Sequence, residues 1–270
     1  MSFRRLRFIH VLFFGIGIGW WGTACAPTSG DKMRPGGGSP DNDGGVSPSS
    51  PTPEHFVVPD GFPEPSFEPS NEFAPGRVEL GRELFFDVRL SGSNDVSCAT
   101  CHAPALAFGD AMALSDLGVS GVTLPRHTPT LFNLAWADDG LFWDGGAKNL
   151  ESLIFGPITN VDEMDQDLAE LVDELSRDPE LMAKFSNAFD AEPFGVGHVA
   201  MVLSQYVRTL VSADSRYDDA RSFKGALSEQ ETYGLALVEE KCSSCHAGEL
   251  FTDQGYHNNG LDMEFPSDHE

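Results

Sequence analysis

The pattern Cys-x-x-Cys-His occurs twice, as Cys98-Ala99-Thr100-Cys101-His102 and as Cys242-Ser243-Ser244-Cys245-His246. Two thiols at this spacing can bond to the vinyl groups of one haem while the adjacent His reaches the iron, which is the c-type attachment signal. Iron held by His passes electrons, or activates an oxidant if its other face is open. Zinc ribbons and thioredoxin-like sites also use Cys-x-x-Cys. Here the two pairs lie 144 residues apart, too far for a ribbon, and both carry a His that a thioredoxin site does not need. The motifs therefore predict two covalently bound haem c groups. Cys98, Cys101, Cys242 and Cys245 attach them, and His102 and His246 are iron ligands.

The elements that must position these motifs read as helices. Leu80 to Phe85 precedes the first motif and Tyr233 to Val238 the second, each with apolar residues three and four apart. Phe108-Gly109-Asp110 follows His102, and Phe251-Thr252-Asp253 follows His246, so the chain carries a weak internal repeat of a cytochrome c unit. Between the motifs, Leu168, Leu171, Val172 and Leu175 mark one amphipathic helix. Pro179 opens a second, with Leu181, Met182 and Phe185. A third runs from about Val196 to Val211. No sustained alternating strand pattern occurs. The fold class is mostly α, with long loops and two cytochrome c-like haem domains, 56–220 and 221–270.

The first 25 residues read as an export signal. Arg4, Arg5 and Arg7 precede the apolar run Phe8 to Trp21, which is short for a membrane span, and Gly22-Thr23-Ala24-Cys25 ends in small residues. Cys25, the odd fifth cysteine, resembles the lipidated Cys of a bacterial lipoprotein, although Gly22 stands where a Leu-like residue is usual. Residues 26–55 read as a disordered tether, since 17 of the 29 residues from 26 to 54 are Gly, Pro or Ser. This predicts a protein of the periplasm or cell envelope, lipid-anchored at Cys25. Beyond residue 25 the balance is 14 basic residues against 42 acidic ones, or −28. Such a surface excludes nucleic acid and anionic lipid as partners and suits a basic redox protein or a salty habitat.

Several stretches together resemble the bacterial dihaem cytochrome c peroxidases and the related methylamine-utilisation dihaem oxidases. They are Leu84-Phe85-Phe86-Asp87-Val88-Arg89-Leu90-Ser91-Gly92, Arg126-His127-Thr128-Pro129-Thr130-Leu131, Phe142-Trp143-Asp144-Gly145, and Gly156-Pro157-Ile158-Thr159-Asn160 with Glu163-Met164. Arg208-Thr209-Leu210-Val211-Ser212 and Phe251-Thr252-Asp253 extend the likeness, which spans residues 76 to about 260 in a consistent order. The resemblance implies a peroxidase reducing hydrogen peroxide to water with electrons from a small cytochrome c or cupredoxin. It implies that His102 holds the peroxidatic haem and His246 the electron-transfer haem. Relatives of this kind often dimerise.

The resemblance also points to side chains. Glu163 stands at the position of an acid/base carboxylate, able to shuttle a proton between peroxide oxygens. On its residues alone, the acidic run Asp162, Glu163 and Asp165 reads equally as the start of a helix. Trp143 matches a tryptophan between the haems and is a candidate electron relay; an aromatic core residue is the other reading. His127 could ligate a haem or be a structural loop residue. Asn133 resembles a residue at an interdomain calcium site, and Gly146 replaces an Arg common in the pattern. The family extends well past the second motif, whereas 24 residues follow His246, so the second haem domain is expected to be incomplete. Met263 and His257 are the remaining candidates near that haem. The other functions in view are a non-catalytic dihaem electron carrier, an incomplete family member, and an oxidase acting on a protein side chain.

Overall fold

The computed structural model describes residues 54–190, 193–258 and 260. The expected export signal, Cys25, the tether up to residue 53, and Met263 lie outside the described residues. Within them the chain is helical, with only two isolated antiparallel bridges, Ala103 to Gly109 and Leu141 to Ala147. The helices in chain order are α1 (Pro75–Phe85), α2 (Cys98–Cys101), α3 (Leu150–Leu153), α4 (Phe155–Thr159), α5 (Leu168–Leu175), α6 (Pro179–Ala188), α7 (Val196–Arg208), α8 (Arg216–Arg221) and α9 (Glu229–Lys241). The mostly α expectation holds.

Helix ends follow local chemistry. Asp167 and Asp178 cap α5 and α6, each accepting two backbone N–H bonds, and Pro179 opens α6. Ser215 with Asp218, and Ser228 with Glu231, form reciprocal capping boxes at α8 and α9. The third predicted helix stops at Arg208 rather than Val211, because the N–H of Thr209 turns back to Tyr206 O and that of Leu210 to Val207 O. Because Asp167 caps α5, the acidic run at 162–165 is a turn before the helix, not its first turn.

Helix α7 is the centre of the fold. Val199, Val202, Leu203, Tyr206 and Val207 are buried, and so are its polar Ser204, Gln205 and Arg208. A helix buried nearly all round is a core element. Helix α1 crosses it closely: a Cβ on Gly81 would sit 1.8 Å from Val202 O, so only glycine allows the approach. Leu171, Leu175, Leu181 and Phe185 complete the core from α5 and α6. Helix α9, by contrast, buries no residue.

The polar groups of α7 are spent on one network. Arg208 donates to Glu151 on α3 through Nη1 (2.7 Å) and Nη2 (3.0 Å). Asn71 Nδ2 and Ser204 Oγ donate to the same Glu151 Oε1 at 2.7 and 3.0 Å. Gln205 Nε2 donates to Asn71 O at 2.6 Å and Glu72 O at 3.1 Å, holding the lead-in to α1. Burial alone would push the Glu151 carboxyl up, but Arg208 and Asn71 together hold it below the usual carboxylate range.

This pair makes two predictions of opposite sign. Arg208→Met leaves a buried carboxylate uncompensated and should cost about 3–5 kcal/mol at neutral pH, read as unfolding free energy in urea. The depressed Glu151 contributes stability above its unfolded value that is lost as pH falls through its lower folded value, so the wild type should weaken below about pH 4. Without Arg208 that carboxyl is raised by burial, so acidification should shrink the variant's deficit.

Candidate active site and haem attachment motifs

The first motif lies on the single turn α2, where Ser97 N–H donates to Thr100 Oγ1 at 3.0 Å and Thr100 N–H to Ser97 O at 3.0 Å. Residues three apart on a helix share a face, so Cys98 and Cys101 point the same way. Both are free thiols. Burial pushes the Cys98 thiol up to about 12. Burial also raises the Cys101 thiol; a Ser115 hydrogen bond lowers it, and the charges of Glu163 and Asp110 raise it further. His102 ends the turn, its N–H bonded to Cys98 O at 2.9 Å.

A tight reversal fixes the imidazole. Ala107 and Phe108 both take left-handed backbone (φ 57° and 55°), and Phe108 N–H returns to Ala103 O at 3.0 Å. Such conformations cost energy in non-glycine residues. The reversal brings Phe108 O within 2.8 Å of His102 Nδ1. A carbonyl only accepts, so Nδ1 carries the proton and Nε2 keeps its lone pair. Burial lowers the pKa of His102, against the pull of Phe108, Asp110 and Pro129. A neutral imidazole with its Nδ1–H pinned to a carbonyl is a ready metal ligand.

The second motif repeats this construction. His246 N–H bonds Cys242 O at 2.9 Å, Phe251 is left-handed (φ 52°), and Phe251 O lies 3.0 Å from His246 Nδ1. Here, however, Cys242 and His246 are exposed. The donor set at each motif, two thiols on one turn and an imidazole whose Nδ1 is held by a backbone carbonyl, fits a covalently bound haem. Among the described residues the four thiols do not gather into one cluster, as a zinc ribbon requires. His257 Nε2 instead meets Asp253 Oδ2 at 2.8 Å, close to Cys245.

Glu163 sits in a turn that follows α4 and is built on Asn160. Asn160 O accepts from the N–H groups of Glu163 (3.0 Å), Met164 (3.1 Å) and Asp165 (2.9 Å). Its Oδ1 accepts from Asp162 N–H at 2.9 Å, and its Nδ2 donates to Glu163 Oε1 at 2.8 Å. The buried Met164 anchors the turn in the core. Two chain segments clasp it. Gly92 N–H donates to Met164 O at 2.8 Å, and Val119 N–H to Glu163 O at 2.9 Å. A Cβ on Gly92 would meet Asp165 O at 2.2 Å, and one on Gly118 would meet Asp162 O at 2.0 Å. Burial pushes the Glu163 carboxyl up, Asn160 opposes it, and Asp162 adds to the rise. Asn160 quotes no chemistry in the sequence. Its signal was a short amide side chain just ahead of the acidic run 162–165, where it competes for backbone N–H groups.

Trp143 is 56% exposed and donates from Nε1 to His127 O at 2.9 Å, so the core-aromatic reading is corrected. The core indole is Trp136, 3% exposed and bonded to Pro63 O. The Trp143 loop is closed by Leu141 N–H to Ala147 O (2.8 Å) and by the ion pair Arg126–Asp144 at 2.6 Å. His127 commits Nδ1 to Met112 O at 2.9 Å and lies 3.9 Å from the buried Asp110 carboxylate. Asn133 pairs its amide with the backbone of Ser212, at 3.0 and 2.8 Å, which leaves its Oδ1 engaged. Gly146 faces Asp144 across ordinary van der Waals distance.

Comparison with known proteins agrees with this construction. The model of the di-haem cytochrome c peroxidase family matches residues 75–226. The chain is 40% identical over 210 residues to methylamine utilization protein MauG of Methylorubrum extorquens, covering 76% of this chain and 58% of that protein. It is 38% identical over 190 residues to cytochrome c551 peroxidase of Pseudomonas aeruginosa, covering 68% and 54% respectively. The crystal structure of a MauG-like protein associated with microbial copper homeostasis superposes with a TM-score of 0.69 at 29% identity, over 78% of this chain and 63% of that one. The chain thus spans somewhat over half the length of these curated relatives. With the family model covering more than half of the chain and the relatives agreeing, this protein belongs to the di-haem cytochrome c peroxidase family.

Proposed function

We propose that this protein is a peroxidase that reduces hydrogen peroxide to water, with electrons drawn from a small cytochrome c or cupredoxin. The observation that carries the reading is Glu163, a carboxyl raised by burial, held at one oxygen by Asn160, and close enough to the first motif for its charge to act on Cys101. Haem attached at Cys98 and Cys101, with His102 as ligand, would supply the iron and the electrons for cleaving the peroxide bond. Glu163 Oε1 is occupied by Asn160, so Oε2 is the oxygen that takes a proton from one peroxide oxygen and returns it to the other. Two protons from outside complete two waters, and two electrons from the donor replace those the haem would give up. Asn160 keeps Oε2 aimed, and the glycines at 92 and 118 let the flanking backbone hold the turn without a gap.

The second motif suits the electron-transfer role, because His246 and Cys242 are exposed where a donor can approach. We assign residues 56–220 to the peroxidatic unit and 221–270 to the electron-accepting one. The excess of acidic residues favours a basic donor. Export to the periplasm with Cys25 as lipid anchor completes the reading. No described helix is long and apolar enough to cross a membrane.

Glu163→Gln should retain both haem spectra and lower kcat/KM for peroxide by about 10²–10⁴, measured with a reduced small cytochrome c. Unchanged turnover would remove Glu163 from the mechanism. No turnover by the wild type with both haems attached would favour the electron-carrier reading. Asn160→Ala removes a bond to the ionised carboxyl, so the pKa of Glu163 should rise. The acid limb of the rate profile in kcat/KM should then move to higher pH, while Asn160→Asp should not reproduce the wild-type profile.

A further inference from the structure

The loop that carries Trp143 is shaped by three left-handed residues, Gly140 (φ 116°), Phe142 (φ 66°) and Gly145 (φ 78°). It is held from two sides. On one side the Phe142 ring lies against Gly156 of α4, where a Cβ would meet Phe142 Cζ at 3.1 Å. On the other side is Tyr256, ten residues after His246. A Cβ on Gly145 would lie 3.1 Å from Cε2 and Cζ of Tyr256, and one on Gly140 would lie 3.2 Å from its Oη. Both glycines present bare backbone to the phenol ring.

Tyr256 belongs to the segment that builds the second motif. Phe251 O holds His246 Nδ1, Asp253 N–H bonds Cys245 O at 2.9 Å, and His257 pairs with Asp253 at 2.8 Å. Trp143 in turn donates to His127 O, and His127 stands beside Asp110, two residues after the carbonyl that holds His102. Contacts joined by short stretches of chain, Phe251 to Tyr256 and Phe108 to Asp110, therefore connect His246 through the Trp143 loop to His102.

We propose that Tyr256 is a positioning residue for Trp143: its ring closes on Gly140 and Gly145 and fastens the segment after the second haem motif to the loop that carries the indole. This rests on the reading of Trp143 as a relay between the two haems, and adds the residue that fixes where the relay stands. The bond to His127 orients the indole at its Nε1 end, and the Tyr256 ring immobilises the backbone on which it is mounted. Half-exposed Tyr256 can be changed without opening the core.

The test uses the full chain with both haems attached, followed by hydrogen exchange and by electron transfer between the haems after pulsed reduction. In Tyr256→Ala, exchange over residues 140–147, including the Leu141 N–H bonded to Ala147, should speed up about tenfold, with residues 160–165 unchanged. Tyr256→Phe keeps the ring and should match the wild type. Electron transfer should slow in Tyr256→Ala, and adding that change to Trp143→Phe should slow it no further, since contacts acting through one residue are not additive. Unchanged exchange in Tyr256→Ala, or a Tyr256→Phe variant as loose as the Ala one, would overturn the proposal. So would a loosened loop with unaltered electron transfer while Trp143→Phe slows it. If Trp143→Phe leaves the rate unchanged, the relay itself fails, and the exchange data alone still decide whether Tyr256 holds the loop.

Discussion

The bidentate pair between Arg208 and Glu151 sets the frame for the rest. It joins the end of the central helix α7 to α3, and α3 runs through Ile154 into α4, whose end carries Asn160 and then Glu163. Asn71 and Ser204 also donate to Glu151 Oε1, so the charge is buried with both carboxylate oxygens hydrogen-bonded. No buried side-chain polar atom among the described residues lacks a partner. A buried pair is weak as net stabilisation but costly to break, and it fixes one arrangement of the helices it joins. Here that arrangement brings the turn of Glu163 to the first haem motif.

Close backbone approach is the second constraint. Gly81 lets α1 lie on α7, Gly92 and Gly118 let two loops grip the Glu163 turn, and Gly140 and Gly145 let Tyr256 lie on the Trp143 loop. At Gly81, Gly92 and Gly118 the missing Cβ lets backbone meet backbone, and at Gly140 and Gly145 it lets a ring lie on backbone. Backbone is stiffer than side chain, so the carboxyl and the indole are mounted on segments with little freedom to shift. That stiffness suits the roles proposed for them, which depend on closely held distances.

The two motifs show one local design in two surroundings. Each ends a turn in His, and each uses a left-handed Phe two residues before an Asp to send a carbonyl back to Nδ1. The first is half-buried, with Cys98 packed against the core, whereas Cys242 and His246 of the second are exposed at the end of α9, which buries nothing. The same ligand chemistry is thus partly covered in one case and open to solvent in the other. Solvent exposure is among the factors that set a haem's potential and its partners.

The two Cys-x-x-Cys-His motifs, the helical class and the helices at 168–175, from Pro179 and from Val196 were legible in the sequence, because they depend on neighbours within a turn, whereas α3, α4 and α8 were not read from it. Cys-x-x-Cys-His states its candidate ligands by spacing, Pro179 states where α6 begins, and the apolar period of 168–175 gives the buried face. The repeated Phe-x-Asp tails were visible as a likeness, but that their Phe carbonyls hold the two imidazoles needed the left-handed reversal to be seen. Tertiary structure alone decided what Trp143 touches and which segments clasp the turn of Glu163. Acid placement by sequence could not separate a helix start from a turn, since both favour carboxylates; the cap at Asp167 did so. An indole's exposure depends on chain segments far away, which is why Trp136 is core and Trp143 is not. The Arg208–Glu151 pair spans 57 residues, and Tyr256 meets a loop more than a hundred residues earlier. Such contacts are fixed by the packing of the whole chain, so no local pattern of residue types records them.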